Sequence, residues 1–151
     1  MSNEVKIKRL GKNDVLLFEN LNKLFYIVFE MRKYKPVKKA YLQNLLNNSN
    51  FIVYVAICKG EVIGGLTAFE LPMYYAQYSE VLIYDIAIHS GFQRMGIGKK
   101  LITGLKEYCK KNGIKEFFVP ANEEDKQALA FYKSTGGKAE KVVHFNYTFT
   151  K

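Results

Sequence analysis

Cysteine is scarce in this chain of 151 residues: Cys58 and Cys109 are its two examples, far apart and in no metal-ligand spacing or disulfide framework. That excludes a disulfide-stapled scaffold and points to a reducing cytosol. Long apolar runs are missing as well. None approaches the roughly 20 residues of a membrane-spanning helix, and Met1 to Lys12 mixes Glu, Lys and Arg with isolated aliphatics where a signal peptide would have an apolar centre. A cytoplasmic protein with no membrane partner is expected. Linkers, repeats and low-complexity tracts are absent too, so residues 1–151 are expected to form one domain. Acidic residues are in short supply, with 14 Asp plus Glu against 23 Lys plus Arg, a formal net charge of +9 and a pI of about 9.4. That balance favours anionic partners, either a phosphorylated cofactor or nucleic acid. The lysines are scattered along the whole chain and no nucleic-acid motif accompanies them, so a nucleic-acid-binding module ranks below an enzyme. What the chain does have is 48% hydrophobic and 25% charged residues, enough to bury a full core.

Val5 to Leu10 alternates apolar and polar residues as a half-buried strand does, and Asp14 is placed to cap the helix that follows. From Val15 to Met31, Leu17, Leu21, Leu24, Phe25, Val28 and Phe29 recur at three- and four-residue steps, one face of a helix. Arg32 to Lys39, with Pro36, interrupts it, and Ala40 to Leu46 forms a second short helix. Phe51 to Cys58 and Val62 to Phe69 read as a hairpin about Lys59-Gly60-Glu61. A tyrosine-rich loop, with Tyr74, Tyr75 and Tyr78, leads to Glu80 to Ile88, whose apolar run is that of a central strand buried on both faces and interrupted only by Asp85. A helix over Lys99 to Lys111 stops at Gly113, a short strand covers Phe117 to Val119, a helix covers Asp125 to Ser134, and Val142 to Phe149 predicts a last strand. This order is mixed α/β with a largely antiparallel sheet. Three successive strands without intervening helices exclude a doubly wound parallel sheet.

The informative stretch is Gln93-Arg94-Met95-Gly96-Ile97-Gly98 between a strand and a helix. A glycine-rich turn opening a helix lets backbone N–H groups converge, and the helix dipole adds positive potential there, which together make a diphosphate cradle. Lys99 and Lys100 are well placed for phosphates. Taken alone, Gly96-x-Gly98 also fits an ordinary turn. A P-loop is absent, and the dinucleotide fingerprint is incomplete because Leu101 takes its third glycine position.

Q-x-x-G-x-G at Gln93 to Gly98, after Ile86-Ala87-Ile88 at a strand end, resembles the acetyl-coenzyme A signature of the GNAT superfamily of N-acetyltransferases. A second element follows, Asp125-x-x-Ala128-x-x-x-Tyr132-x-x-x-Gly136, with Asp125 in the place of the family's Asn. The chain is more closely similar to the small, GNAT-type aminoglycoside 3-N-acetyltransferases. That likeness rests on Tyr41-Leu42-x-Asn44-Leu45-Leu46, Phe51-Ile52, Leu71-Pro72, Ser79-Glu80, Ile83-Tyr84-Asp85-x-Ala87, Ala128-x-Ala130-x-Tyr132 and Val143-His144-Phe145. Asn146 stands where the group has an acidic residue, and Asn122-Glu123-Glu124-Asp125 departs from its acid-rich loop.

The resemblance implies a GNAT fold, acetyl-CoA as cofactor and a small-molecule amine as acceptor. The acceptor would be an aminoglycoside, or else a polyamine, another small amine or a protein amine; a homodimer is compatible with the family. It implies that the backbone of Ile86, Ala87 and Ile88 pairs with the pantetheine arm, with the Ile88 N–H polarising the thioester oxygen. Amides of Gln93, Arg94, Met95, Gly96, Ile97, Gly98 and Lys99 would hold the diphosphate, with Asp125 and Tyr132 beside the cofactor. Tyr132, a phenol of pKa about 10, suits protonation of a departing thiolate; its alternative is an aromatic on the inner face of a helix. Asp85 either accepts the amine proton and binds a cation or pairs with a neighbouring Lys, Arg or Tyr. Glu80, expected on the opposite face of the strand from Asp85, is a second candidate base. Tyr84, Glu123, Glu124 and His144 are candidate substrate contacts, although an acidic loop before a helix is commonly solvated and Asp125 is well placed as an N-cap. His89 and His144 fit no metal-ligand pattern, and no metal is expected.

Overall fold

A computed structural model describes residues 4–31 and 33–150. Met1 to Asn3, at the start of the stretch weighed as a leader, and Arg32, the first residue of the expected helix interruption, lie outside the described residues. The chain divides into two compact units, Met1–Pro120 and Ala121–Lys151. The first carries β1 (Val5–Arg9), α1 (Val15–Val28), α2 (Lys39–Asn47), β2 (Phe51–Cys58), β3 (Glu61–Pro72), β4 (Ser79–Ile88), a 3₁₀ turn (Ser90–Phe92), α3 (Ile97–Lys111) and β5 (Glu116–Phe118); the second carries α4 (Lys126–Ser134). The strands form one sheet in the order β1-β2-β3-β4-β5, antiparallel except for the parallel β4–β5 pair. This is the mixed, mostly antiparallel α/β architecture read from the sequence.

The two faces of the sheet follow from the alternation of β2. Phe51, Val53 and Val55 join Phe18, Leu21, Leu24 and Phe25 of α1 and Leu42 of α2 in one buried cluster. Tyr54 turns the other way, toward α3, where a Cβ on Gly104 would lie 3.5 Å from its ring. So α1 and α2 cover one face and α3 the other. The approach of α1 depends on a missing side chain: a Cβ on Gly65 would sit 2.5 Å from Leu21 Cδ1 and 2.7 Å from the Tyr54 carbonyl oxygen. The β2–β3 hairpin turns through Lys59 at φ 50° and Gly60 at φ 81°, the left-handed pair that a tight hairpin requires. At the end of α3, Gly113 at φ 66° lets Ile114 N–H reach the Cys109 carbonyl at 2.9 Å, so the expected stop is a glycine C-cap.

Several local expectations need correction. Asp14 makes no side-chain cap for α1; its carboxylate accepts instead from Gly11 N–H at 2.7 Å and from Lys8 Nζ at 2.9 Å, bracing the preceding turn. Helix α1 stops at Val28, short of Met31, because Glu30 takes a left-handed φ of 52°. Helix α3 begins at Ile97 with Gly96 as its N-cap, so Gly98 belongs to the first turn. Strand β4 is not buried on both faces: Tyr84, which has no partner in the register with β3, is 68% exposed. Val142 to Phe149, expected as a strand, has no ladder partner among the described residues and forms no regular structure. An apolar alternation specifies which face would be buried, but a strand needs a second strand to satisfy its backbone.

Candidate active site

The site is built on the irregular half of β4. Its register with β3 runs Asp85 opposite Thr67 but Ile83 opposite Ala68, so Tyr84 is an extra, bulged residue. Without the bulge, alternation would turn Asp85 toward α3. With it, Tyr84 and Asp85 both line a cavity of about 380 Å³ on the α1–α2 face. The bulge also corrects the expectation for Glu80. Leu82 lies opposite Phe69 and Glu80 opposite Leu71, so Glu80, Leu82, Asp85 and Ala87 share a face. Glu80 lies outside the cavity lining, beside Glu116 in the β4–β5 register.

The cavity walls are aromatic, from Phe18 and Phe25 of α1, Tyr41 of α2, Phe51, Phe69 and Tyr84, with Thr67 and Asn22 as polar points. Asp85 is the one charged residue of the lining, and no Lys or Arg faces it there. Burial raises its carboxyl above the usual carboxylate range, and among the described residues no ion pair offsets it. An isolated carboxylate among aromatic rings is suited to an incoming cation, which gains an ion pair and ring faces together. The apolar periodicity marked Phe25 as core and passed over Phe18, Thr67 and Phe69 as site residues; a lone Thr in the otherwise apolar Ile63 to Phe69 run was the available signal.

The second feature is the free edge of β4. Among the described residues β5 covers it only to Leu82, while β3 pairs the other edge through Ile88. His89 donates its N–H to the Ile63 carbonyl on β3, 2.8 Å away, so alternation turns the N–H and C=O of Ile88 and Ile86 toward the free edge. The Ile88 carbonyl there accepts from Gln93 Nε2 at 3.0 Å, tying the following loop to the strand end. His89 has a local role: its Nδ1 accepts from Gly91 N–H at 3.1 Å and caps the 3₁₀ turn.

The loop then passes through two left-handed residues, Arg94 at φ 62° and Gly96 at φ 78°. A Cβ on Gly96 would touch nothing within 4 Å, so glycine is required there by conformation and not by crowding. No side chain caps α3. Its first N–H groups, from Gly96 to Lys99, therefore have no intrahelical partner, and Arg94, Met95, Gly96, Lys99 and Lys100 are exposed around them. Uncapped amides on a positive helix end fit a diphosphate, and an open strand edge fits an extended amide-bearing arm. The residues present thus fit coenzyme A.

A larger, open groove of about 740 Å³ lies on the other face of the sheet, between α3 and β1, where Arg9, Lys99, Lys100 and Lys111 outnumber Glu107. The Arg9 guanidinium stacks 4.4 Å over the Tyr108 ring, and Tyr108 donates to Glu70 at 2.7 Å. These contacts engage Arg9 and Tyr108, and the groove shares no lining residue with the Asp85 cavity.

The second unit holds the remaining expected residues. Asp125 caps α4, its Oδ1 accepting from Ala128 N–H at 3.0 Å, as expected. Glu123, Glu124 and His144 are exposed. Tyr132 is partly buried on α4 against Phe131, ring centroids 5.3 Å apart, and its carbonyl accepts from Gly137 N–H at 2.9 Å. No helix among the described residues is long and apolar enough to cross a membrane.

Comparison with known proteins agrees with this geometry. Crystal structures of the aminoglycoside acetyltransferase meta-AAC0020 from an uncultured soil metagenomic sample, in complex with trehalose and with sisomicin, are 43% identical to the chain. The trehalose complex superposes with a TM-score of 0.95 over 99% of both chains, and the sisomicin complex with 0.94 over 97% of both. The aminoglycoside acetyltransferase HMB0005, also from an uncultured soil metagenomic sample, is 35% identical with a TM-score of 0.92, over 97% of this chain and 99% of that one. An uncharacterized N-acetyltransferase of Methanocaldococcus jannaschii is 29% identical over 140 residues, 91% of this chain, and the chain spans 62% of that protein's length. The acetyltransferase (GNAT) family pattern matches residues 16–136. With four-fifths of its length inside that match, on a sheet that opens at β4 beside an uncapped helix, the chain belongs to the GNAT family of acetyltransferases.

Proposed function

We propose that the protein transfers the acetyl group of acetyl-CoA to a primary amine of an aminoglycoside, at the 3-N position, within a single ternary complex in the cytoplasm. The observation that carries the acceptor assignment is the Asp85 cavity, an aromatic-walled recess whose one charged lining residue is a carboxylate with no ion pair among the described residues. Two aminoglycoside acetyltransferases at 43% and 35% identity support the same class.

The family uses acetyl-CoA, which when bound supplies an activated acyl thioester. Amides of Arg94 to Lys99 at the start of α3 hold the diphosphate, and Ile86 and Ile88 on the free β4 edge hold the arm. The Ile88 N–H polarises the thioester carbonyl. Asp85 binds the acceptor ammonium and takes its proton, a task that its raised pKa favours over an ordinary carboxylate. Tyr132 is assigned the proton-donor role toward the thiolate on the motif spacing alone. Transfer is direct: Cys58 and Cys109 are 5% and 6% exposed, and burial pushes the Cys109 thiol up to about 11, unsuited to carry an acyl group.

The test is thiol release from acetyl-CoA with a panel of aminoglycosides and polyamines, followed by NMR of the products. Turnover of aminoglycosides with acetylation at the 3-amine is expected. Turnover confined to polyamines removes the antibiotic assignment, and acetylation at another amine removes the 3-N assignment.

A further inference from the structure

The Asp85 cavity holds a second polar group that the protein itself leaves unused. Among the described residues Thr67, 7% exposed, is the one polar residue of the buried set. In the sheet it lies directly between Val53 of β2 and Asp85 of β4. Val53, 1% exposed, offers it methyl groups alone. No hydrogen bond engages the Thr67 hydroxyl among the described residues, and the space its side chain borders is the cavity. Asn22, the other neutral polar residue of the lining, is half-buried on α1 and has solvent as an alternative. A buried hydroxyl without a partner costs stability that valine, the same shape without the oxygen, would not. Valine suits a strand as well as threonine does, so secondary structure alone gives no reason for the oxygen.

We infer that Thr67 is a specificity-determining residue, the hydroxyl by which the cavity selects amino alcohols over plain amines; the inference rests on the acetyl transfer proposed above. Side chains directly opposite on paired strands have Cβ atoms about 4.5–5.5 Å apart, so Thr67 and Asp85 present two polar points to one ligand. Asp85 takes the ammonium. Thr67, which can donate one hydrogen bond and accept two, takes a hydroxyl on the carbon next to the amine-bearing one, or next but one. The aromatic walls exclude water from the pair and cover the ring that carries both groups. A site built to bond a ligand hydroxyl rejects the analogue that lacks it, because its own polar group is then left unpaired.

The test compares an aminoglycoside with its deoxy derivative, lacking a hydroxyl at one of those two positions relative to the acetylated amine, in wild type and in Thr67→Val. Wild type should favour the parent compound in kcat/KM by about tenfold, as for one neutral hydrogen bond. Thr67→Val should bring the two compounds within about twofold, through a raised KM for the parent with kcat and its pH profile kept, since the bond is made equally in ground and transition states. Thr67→Ser, which retains the oxygen, should keep the preference. Thermal melts should place Thr67→Val at or above the wild-type Tm, as removal of an unpaired buried hydroxyl requires. Equal use of both compounds by the wild type, a preference that survives Thr67→Val, or a lowered Tm, the mark of a structural hydroxyl, would each overturn the inference and leave the proposed acetylation standing. A wild type that acetylates no aminoglycoside removes that reaction and the inference with it.

Discussion

Replacing Asp85 by Asn should make the protein more stable and far less active. The carboxylate is half-buried among aromatic rings, and no ion pair engages it among the described residues. Its folded-state pKa therefore lies above the unfolded value. A group shifted upward supports the fold fully below its unfolded pKa, about 3.9 for Asp, and loses that support as pH rises through the folded value. The amide introduced by Asp85→Asn mimics the protonated carboxyl at every pH. The variant's advantage should thus be nearly nil at the acid end and complete at neutral pH, about 1 kcal/mol as for an imperfectly solvated polar group. For a chain of this size that raises Tm by about 2–4 °C. Turnover with acetyl-CoA and an aminoglycoside should fall about 10²–10⁴-fold through loss of the base. In the wild type, kcat/KM should fall as pH drops through the raised Asp85 value. Thermal melts of both proteins between pH 4 and 8, with initial rates over the same range, measure all of this. An Asp85→Asn variant less stable at pH 7.5, or a stability difference that does not change with pH, would refute the claim that Asp85 is an unpaired carboxylate held for chemistry.

Gly65→Ala sets a methyl against Leu21 and the Tyr54 carbonyl oxygen, both nearer than 3 Å; urea denaturation should show a loss of about 1–3 kcal/mol from the resulting overpacking. Gly96→Val meets no steric wall but forces a β-branched residue to φ 78°. Acetyl-CoA binding measured by calorimetry should weaken at least tenfold, and Gly96→Asn, which tolerates the left-handed region, should recover most of it. Tyr132→Phe should lower kcat by about 10²-fold or more while leaving the acetyl-CoA Kd unchanged; equal activity would return Tyr132 to a packing role on α4.

Sequence pattern located the elements because each has a local cause. The three- and four-residue spacing of Leu21, Leu24 and Phe25 makes the buried stripe of α1, Lys59-Gly60 turns the hairpin, and Gly113 stops α3. The Asp125 cap and the loop from Gln93 to Gly98 were equally legible, since capping and left-handed turns depend on few residues. The bulge at Tyr84 was not. Its position is set by which β3 residue each β4 residue meets, a pairing between strands that leaves no mark on a single stretch of apolar residues. Missing it inverted the relation of Glu80 to Asp85, and it hid Thr67 and Phe69, which face the cavity only in the observed register. The expected C-terminal strand failed for the opposite reason: its alternation is plain, but among the described residues no strand pairs with it, and alternation alone does not satisfy a backbone.

A net charge of +9 would repel a polycationic acceptor at long range, and the placement of charge answers this difficulty. Lys99 and Lys100 stand at the start of α3, where a diphosphate gains from them, and Arg9 and Lys111 line the groove on the α3 face of the sheet. The cavity on the α1–α2 face has no cation in its lining and one carboxylate. With a Debye length of about 8 Å at physiological salt, distant lysines are screened while a contact with Asp85 is not. The bulge holds this division together. One extra residue in β4 sends Asp85 to the α1–α2 face and keeps Ile86 and Ile88 directed along the free edge, so in the proposed mechanism a single irregularity of register sets the residues assigned to acceptor and cofactor three positions apart on one strand.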